Sequence, residues 1–454
     1  MKATNKYWMI AAIYLATFMT AIESTIVVTA VRSIADSLNS GEAVSLIFSV
    51  YLFSSAIATP IFGRIADQYG KKRVFQWGLL LFLIGTVLCG LSTSSVMLIL
   101  SRIIQGVGAG GIMPMTFALI GELFDLETRG KVMGLNNSAW GIASLAAPLL
   151  GGLLLSVLSW HWIFFINVPF AVVVLAIVQF FYHEETAKKA VDSNEFRQHI
   201  HFATGLFVLL AGIQLTDTSI LLGAAVILLG ISDLIVFYRK EQGAASAILP
   251  IKPLADGTFR LLILCVLLIN GALIGFQVYV PIWVQTELAM SPTAAGLILL
   301  PSSIFFIGGS YYSGSLATQL GQKRLLQFIL AVLVMSFIGL GLLPKETSYI
   351  VLLILSSILG VSIGIGVTIS VITAQSFASK ENLSTVSGFI TLCRTLGQSF
   401  MITFLGMINQ NFYTLSQKTI VGYHAVFFTI SVIVGLLFFI VNNSDLLSRS
   451  SRKI

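Results

Sequence analysis

Apolar residues in this chain gather into long runs, separated by short segments that hold most of the charge and the turn residues. A helix needs about 20 predominantly apolar residues to cross the hydrocarbon core of a bilayer. Fourteen runs are candidates: 8–31, 44–62, 74–92, 96–119, 132–156, 161–182, 202–215, 220–238, 261–286, 293–317, 325–343, 349–375, 385–408 and 424–442, the seventh being short. The pattern predicts an all-α polytopic membrane protein with fourteen transmembrane helices. Lys2 and Lys6 precede the first run in the manner of a signal peptide. That run is too long for one, contains Glu23 and is followed by many more, so it is expected to be a retained helix.

Threading the runs alternately from a cytoplasmic N-terminus places 21 of the 26 Lys and Arg inside. Only Arg32, Lys345 and Lys418 fall outside, and Arg102 and Arg394 lie within runs. Lys/Arg bias in short loops encodes orientation. Both termini are therefore expected in the cytoplasm.

The chain also repeats itself. Gly63-Arg-Ile-Ala-Asp-Gln-Tyr-Gly-Lys-Lys-Arg73 follows the second run, and Gly314-Ser-Leu-Ala-Thr-Gln-Leu-Gly-Gln-Lys-Arg324 follows the tenth, 251 residues later. A weaker echo links Val132-Met-Gly134 with Val386-Ser-Gly388. Two six-helix halves, 1–182 and 261–454, with two extra helices and their linkers over 183–260, account for both offsets. Parallel repeats of this kind are the plan of one large transporter fold, in which a central site opens to each side in turn.

Composition agrees. Apolar residues are 56% of the chain and charged ones 10%, so a soluble fold of this size would lack polar groups to cover its exterior. The net charge of +7 sits in loops between spans, which encodes topology rather than a grip on nucleic acid. Cys89, Cys265 and Cys393 are scattered inside apolar runs and read as packing residues, not as a disulfide or metal framework. Gly106-Val-Gly-Ala-Gly-Gly111 and Gly360-Val-Ser-Ile-Gly364 spell enzyme motifs, but both lie inside spans with no strand before them. No enzymatic activity, metal or cofactor is expected.

Glu23 is the most informative residue. It sits nine residues before Arg32, about 13 Å below the outer end of its helix. A charge at that depth is costly unless paired, hydrated or protonated. It could bond a neighbouring helix, or it could load and release a proton in a water-filled cavity. Arg102 lies at similar depth on the fourth run, about 9 Å in, and is the candidate counter-charge; the alternative is an arginine that snorkels to headgroups. In the loop, Gly63 and Gly70 frame a single acid, Asp67, with Arg64 and Arg73 nearby. Asp67 could accept hydrogen bonds from a helix N-terminus or pair with either arginine. Along the fifth run Ala143, Ala147 and Gly151 form a flat ridge suited to close helix contact, with Pro148 loosening the helix.

Together these segments resemble the major facilitator superfamily, and within it the fourteen-span drug:proton antiporters of the EmrB/QacA type, over essentially the whole chain. Residues 63–73 resemble the superfamily's cytoplasmic gating loop, with Gly63, Arg64, Asp67, Gly70 and Arg73 in its positions. Leu100–Gly110 is similar to the fourth-helix motif whose arginine, here Arg102, is implicated in proton transfer, and Trp162–Pro169 resembles a subfamily segment at the start of the sixth helix. Gly134, Pro148, Gly151 and Gly152 match the antiporter motif, with Ala143 and Ala147 replacing glycines. Ile22–Val27 resembles a segment that usually carries Asp where Glu23 stands, and Arg394 falls where the subfamily commonly has arginine.

The resemblance implies a monomeric exporter in the cytoplasmic membrane, surrounded by lipid and exchanging inward protons for amphipathic, often cationic, drugs. The proton is its coupling ion, and no cofactor is implied. Thr20, Asn137, Trp140, Gln277, Tyr279, Trp283 and Arg394 are candidate cavity residues, being polar or aromatic on inner helices. The alternatives are a dedicated transporter of one metabolite or lipid, which the same fold supports, and a non-transporting sensor.

Overall fold

The computed structural model describes residues 3–38, 44–184, 195–216, 219–242, 247, 249–290, 292–379, 381–416 and 418–444. Within them the regular structure is helical, as lipid demands of a chain whose backbone must pair with itself. The first sequence half holds α1 (Ala3–Thr29), α2 (Val31–Leu38), α3 (Val44–Tyr69), α4 (Lys71–Gly90), α5 (Ser95–Leu123), α6 (Leu126–Val157), α7 (Trp162–Phe165) and α8 (Asn167–Phe181). The inserted pair is α9 (Glu195–Leu215) and α10 (Ile220–Glu241). Then follow α11 (Ile251–Ala255), α12 (Gly257–Glu287), α13 (Pro292–Leu297), α14 (Leu299–Leu320), α15 (Gln322–Gly341), α16 (Tyr349–Gln375), α17 (Leu383–Ser416) and α18 (Thr419–Asn443).

Nine helices among the described residues are long and apolar enough to cross a membrane, against the fourteen expected. The other five predicted runs fall on α3, α6, α9, α13–α14 and α17. Polar side chains lower the hydropathy of several of these: α14 carries Ser302, Ser303, Ser310, Ser313 and Ser315, and α17 carries Ser384, Thr385, Ser387, Thr391 and Arg394. The short seventh run belongs to a longer helix, because α9 begins in the polar stretch from Glu195. Outward faces are apolar, as on α10, where Leu221 is 85% exposed.

The chain divides into two compact units. One comprises 1–123, 139–251 and 378–392; the other comprises 124–138, 252–377 and 393–454. The two copies of the repeated loop, one in each unit, take the same local form. Gly70 and Gly321, 251 residues apart, begin α4 and α15 at φ of 93° and 81°, a region that penalises any side chain. Two residues on, Lys72 donates to the Gln179 carbonyl at 2.8 Å and Lys323 to that of Ser444 at 2.6 Å. One turn further, Gln76 bonds Gln179 and Gln327 bonds Asn442, at 2.8 and 2.9 Å.

Candidate functional site: a buried ion pair and a remotely capped helix

Glu23 lies on α1 and Arg102 on α5, and the structure brings them together. Arg102 Nη1 is 2.5 Å from Glu23 Oε1, and the two residues are 0% and 1% exposed. Every visible neighbour fixes the pair further. Arg102 Nη1 donates to Gln105 Oε1 at 2.7 Å and Nε to the Ile47 carbonyl at 3.2 Å. Its guanidinium sits 4.3 Å from the Tyr51 ring centre and 5.8 Å from that of Phe164. Gln105 in turn donates to Thr86 at 2.8 Å. The second carboxylate oxygen, Oε2, accepts from Asn167 Nδ2 at 2.6 Å.

The surroundings are apolar packing. Ala21, Ile22, Ile26, Cys89, Ile163 and Phe164 form a buried cluster with Ala143 and Ala147 of the α6 ridge. Two residues of the small-residue ridge thus share a core with the helix that carries Glu23. Removing one partner of such a pair strands the other charge, at a cost of about 3–5 kcal/mol.

At the end of α3, Asp67 takes the first of its expected partners. Its Oδ1 accepts from Ser384 N at 3.0 Å and its Oδ2 from Thr385 N at 2.7 Å. These are first-turn amides of α17, which lack partners within their own helix. A carboxylate there also meets the positive end of the helix dipole. Contact is close: a Cβ on Gly63 would stand 2.6 Å from the Ser384 carbonyl oxygen. Arg64 is half-buried and Arg73 exposed. At the start of α4, Glu184 accepts from Lys71 N and Lys72 N at 2.8 and 2.9 Å, capping the helix. Lys71 pairs with Glu122 at 2.6 Å.

The remaining candidates do not gather around the pair. Gly134 packs against α14, where an added Cβ would lie 2.8 Å from Tyr311 N. Gly151 is buried, but Gly152 is exposed and a Cβ there would meet nothing within 4 Å; the Pro148 side chain lies outside the described residues. The Thr20 hydroxyl is spent on its own helix, donating to the Ala16 and Thr17 carbonyls. Trp140 and Gln277 are exposed. Asn137 reaches Ser310 Oγ at 3.5 Å, and Arg394 Nε reaches Asn270 Oδ1 at 3.3 Å. Tyr279 and Trp283 are buried, the Trp283 Nε1 without a hydrogen-bond partner.

Gln105, Asn167, Glu122 and Glu184 were not singled out in the sequence. Gln105 was within reach, since position i+3 from Arg102 shares its helix face. Asn167 is a polar residue inside the apolar sixth run and lies in the segment Trp162–Pro169.

Residues 13–402 match the family described as the Major Facilitator Superfamily. Among curated relatives, the multidrug efflux pump SdrM of Staphylococcus aureus (strain N315) is 32% identical, over 88% of this chain and 89% of that protein. Multidrug resistance protein 3 of Bacillus subtilis (strain 168) is 30% identical, over 91% and 81%. The crystal structure of the human organic anion transporter MFSD10 (TETRAN) superposes with a TM-score of 0.71 at 15% identity, covering 96% of this chain and 99% of that one.

Proposed function

The chain belongs to the major facilitator superfamily, and from that footing we propose that it is a proton-coupled multidrug antiporter. It is a multi-pass membrane transporter of small molecules. The names of its relatives support drugs as the cargo and export as the direction. Helices underlie all fourteen apolar runs, which supports the fourteen-span arrangement; the Lys/Arg bias of the loops supports termini in the cytoplasm.

The observation that carries proton coupling is the Glu23–Arg102 pair, a fully buried carboxylate matched to a single arginine. Ionised, Glu23 holds Arg102 by charge. A proton arriving from the outer side cancels that charge and loosens the hold, while Gln105 and the Ile47 carbonyl keep the arginine in place. The pair therefore has two states that differ by one proton, with little displacement of the helix that bears the cation. A cationic drug favours the ionised state and a proton the neutral one, so each expels the other. Asp67 supplies the cytoplasmic gate. Its two bonds to α17, each worth about 1.5–3 kcal/mol as charge-assisted bonds, must break when that side opens.

One proton exchanged for one monovalent cation moves no net charge, so the pH gradient alone drives export, at about 1.4 kcal/mol per unit. That is roughly tenfold accumulation per pH unit. A neutral drug gains a further contribution of about 2.3 kcal/mol per 100 mV from the membrane potential. The test is efflux of a chemically diverse drug panel from cells, with and without a protonophore. Extrusion of several unrelated drugs that stops with the protonophore is expected. Transport of one compound, without competition from the rest, would instead mark a dedicated carrier.

A further inference from the structure

Asn167 is the first residue of α8, within the span Trp162–Phe181, and Pro169 two residues on lacks a backbone N–H. The helix places a fully buried amide against the carboxylate of Glu23. Only half of that amide is used: Nδ2 donates to Glu23 Oε2 at 2.6 Å, while Oδ1 is buried with no hydrogen-bond partner. A buried acceptor without a partner is uncommon in a native fold and calls for an explanation.

The explanation lies in what Glu23 needs once it is neutral. A carboxylic acid has an O–H that must be accepted, or it is stranded in a dry compartment. Arg102 has donors only. Gln105 Oε1 is already occupied by Arg102 and by the Cys89 thiol. Tyr51 and Cys89, the other titratable groups near the pair, offer a hydroxyl and a thiol. Of the side chains bonded to Glu23, Asn167 brings an acceptor with no partner of its own, Oδ1.

We propose that Asn167 is a two-way hydrogen-bond partner of the coupling carboxyl. Its amide donates to the Glu23 carboxylate; after a half-turn about its terminal bond, it accepts the O–H of the protonated acid. Proton balance is simple. A proton from water forms the O–H bond on Oε2, no other covalent bond in the site changes, and Asn167 neither gains nor loses a proton. The half-turn exchanges Nδ2 and Oδ1 in place and moves no backbone. Asn167 thereby keeps both protonation states of Glu23 paired and lowers the barrier between them.

This inference rests on Glu23 as the proton carrier, and its test separates the two. Infrared difference spectra of the purified protein, recorded between high and low pH, read the C=O stretch of any carboxyl that protonates. Wild type should show a band at the frequency of a hydrogen-bonded acid, and Glu23→Gln should remove it. A pH-dependent band that survives Glu23→Gln unchanged overturns the carrier reading itself. With that band assigned, Asn167→Leu should move it to the higher frequency of an unbonded acid and slow drug–proton exchange on the order of tenfold. Asn167→Thr, whose hydroxyl both donates and accepts, should return the band toward its wild-type position. If Asn167→Leu leaves the Glu23 band in place, Asn167 is a donor to the carboxylate only and the two-way role is wrong. Asn167→Ala gives the same reading should leucine prevent folding.

Discussion

The two copies of the repeated loop share their backbone and differ in how they hold a neighbouring helix. Residues 63–73 and 314–324 carry Gly70 and Gly321 at matching places, both at positive φ, with Lys72 bonding the Gln179 carbonyl near the end of α8 and Lys323 the Ser444 carbonyl just past α18. At the fifth position the copies part. Asp67 reaches across to Ser384 N and Thr385 N, more than 300 residues away. Its counterpart Thr318 turns back to the Ser315 carbonyl of its own helix at 2.8 Å. The helices they face are capped accordingly. α6, beside the second copy, carries its own cap, with Asp125 Oδ1 accepting from Thr128 N at 2.8 Å. α17 takes its cap from Asp67.

The difference is one of reach. A local cap travels with its helix and costs nothing when the helix moves. A remote cap is lost when the two segments separate. Of the five positions at which the copies differ, this one separates a remote cap from a bond within the loop's own helix.

Substitutions at matched positions can break this comparison. The largest contrast is expected between Asp67→Asn and Thr318→Ala. The amide removes the charge that meets the α17 N-terminus and can accept fewer of its bonds, so drug efflux should fall about tenfold or more. Thr318→Ala should leave efflux within about twofold, since it removes one intrahelical bond at an exposed site. Equal losses at both positions, measured alongside drug affinity, would mean that Asp67 is not a latch.

A smaller contrast concerns the glycines at the helix contacts. Gly63→Ala drives a Cβ to 2.6 Å from the Ser384 carbonyl oxygen, whereas Gly130→Ala brings one to 3.3 Å from Gly314 N. Efflux should suffer several-fold more from the first, with backbone displacement of about 1–3 kcal/mol behind it. The smallest difference is expected between Gly70→Ala and Gly321→Ala. Each forces a side chain into left-handed backbone, so each should destabilise by about 1–2 kcal/mol, read as similar falls in Tm. A large inequality would show that the two loop copies are not energetically equivalent.

How much of this was legible beforehand follows the same division between local and remote. The depth of Glu23 and Arg102 could be counted along their helices, but a shared depth permits their meeting without fixing it, since which helices adjoin is set by packing. The equivalence of residues 63–73 and 314–324 could be read from matched glycines and basic residues. Asp67's partner was legible only as a type, a helix N-terminus, because nothing in Ser384-Thr385 marks it as the one chosen. Polar or aromatic character on an inner helix did not foretell where a side chain spends its polar groups: Thr20 bonds its own backbone, and Gln277 is exposed. Helix length failed where polarity masked it, as in α9, which starts seven residues before its apolar run.

Coupling of drug movement to protons by Glu23 is read out in reconstituted vesicles. Wild-type protein and Glu23→Gln are compared in proteoliposomes with the potential clamped at zero by potassium and valinomycin, under an imposed pH gradient. Glutamine keeps the volume of the side chain and removes its titration. Wild type should accumulate a monovalent cationic drug by about tenfold per pH unit, and Glu23→Gln should reach no accumulation while still binding and equilibrating the drug. Accumulation by Glu23→Gln at the wild-type rate would contradict the account.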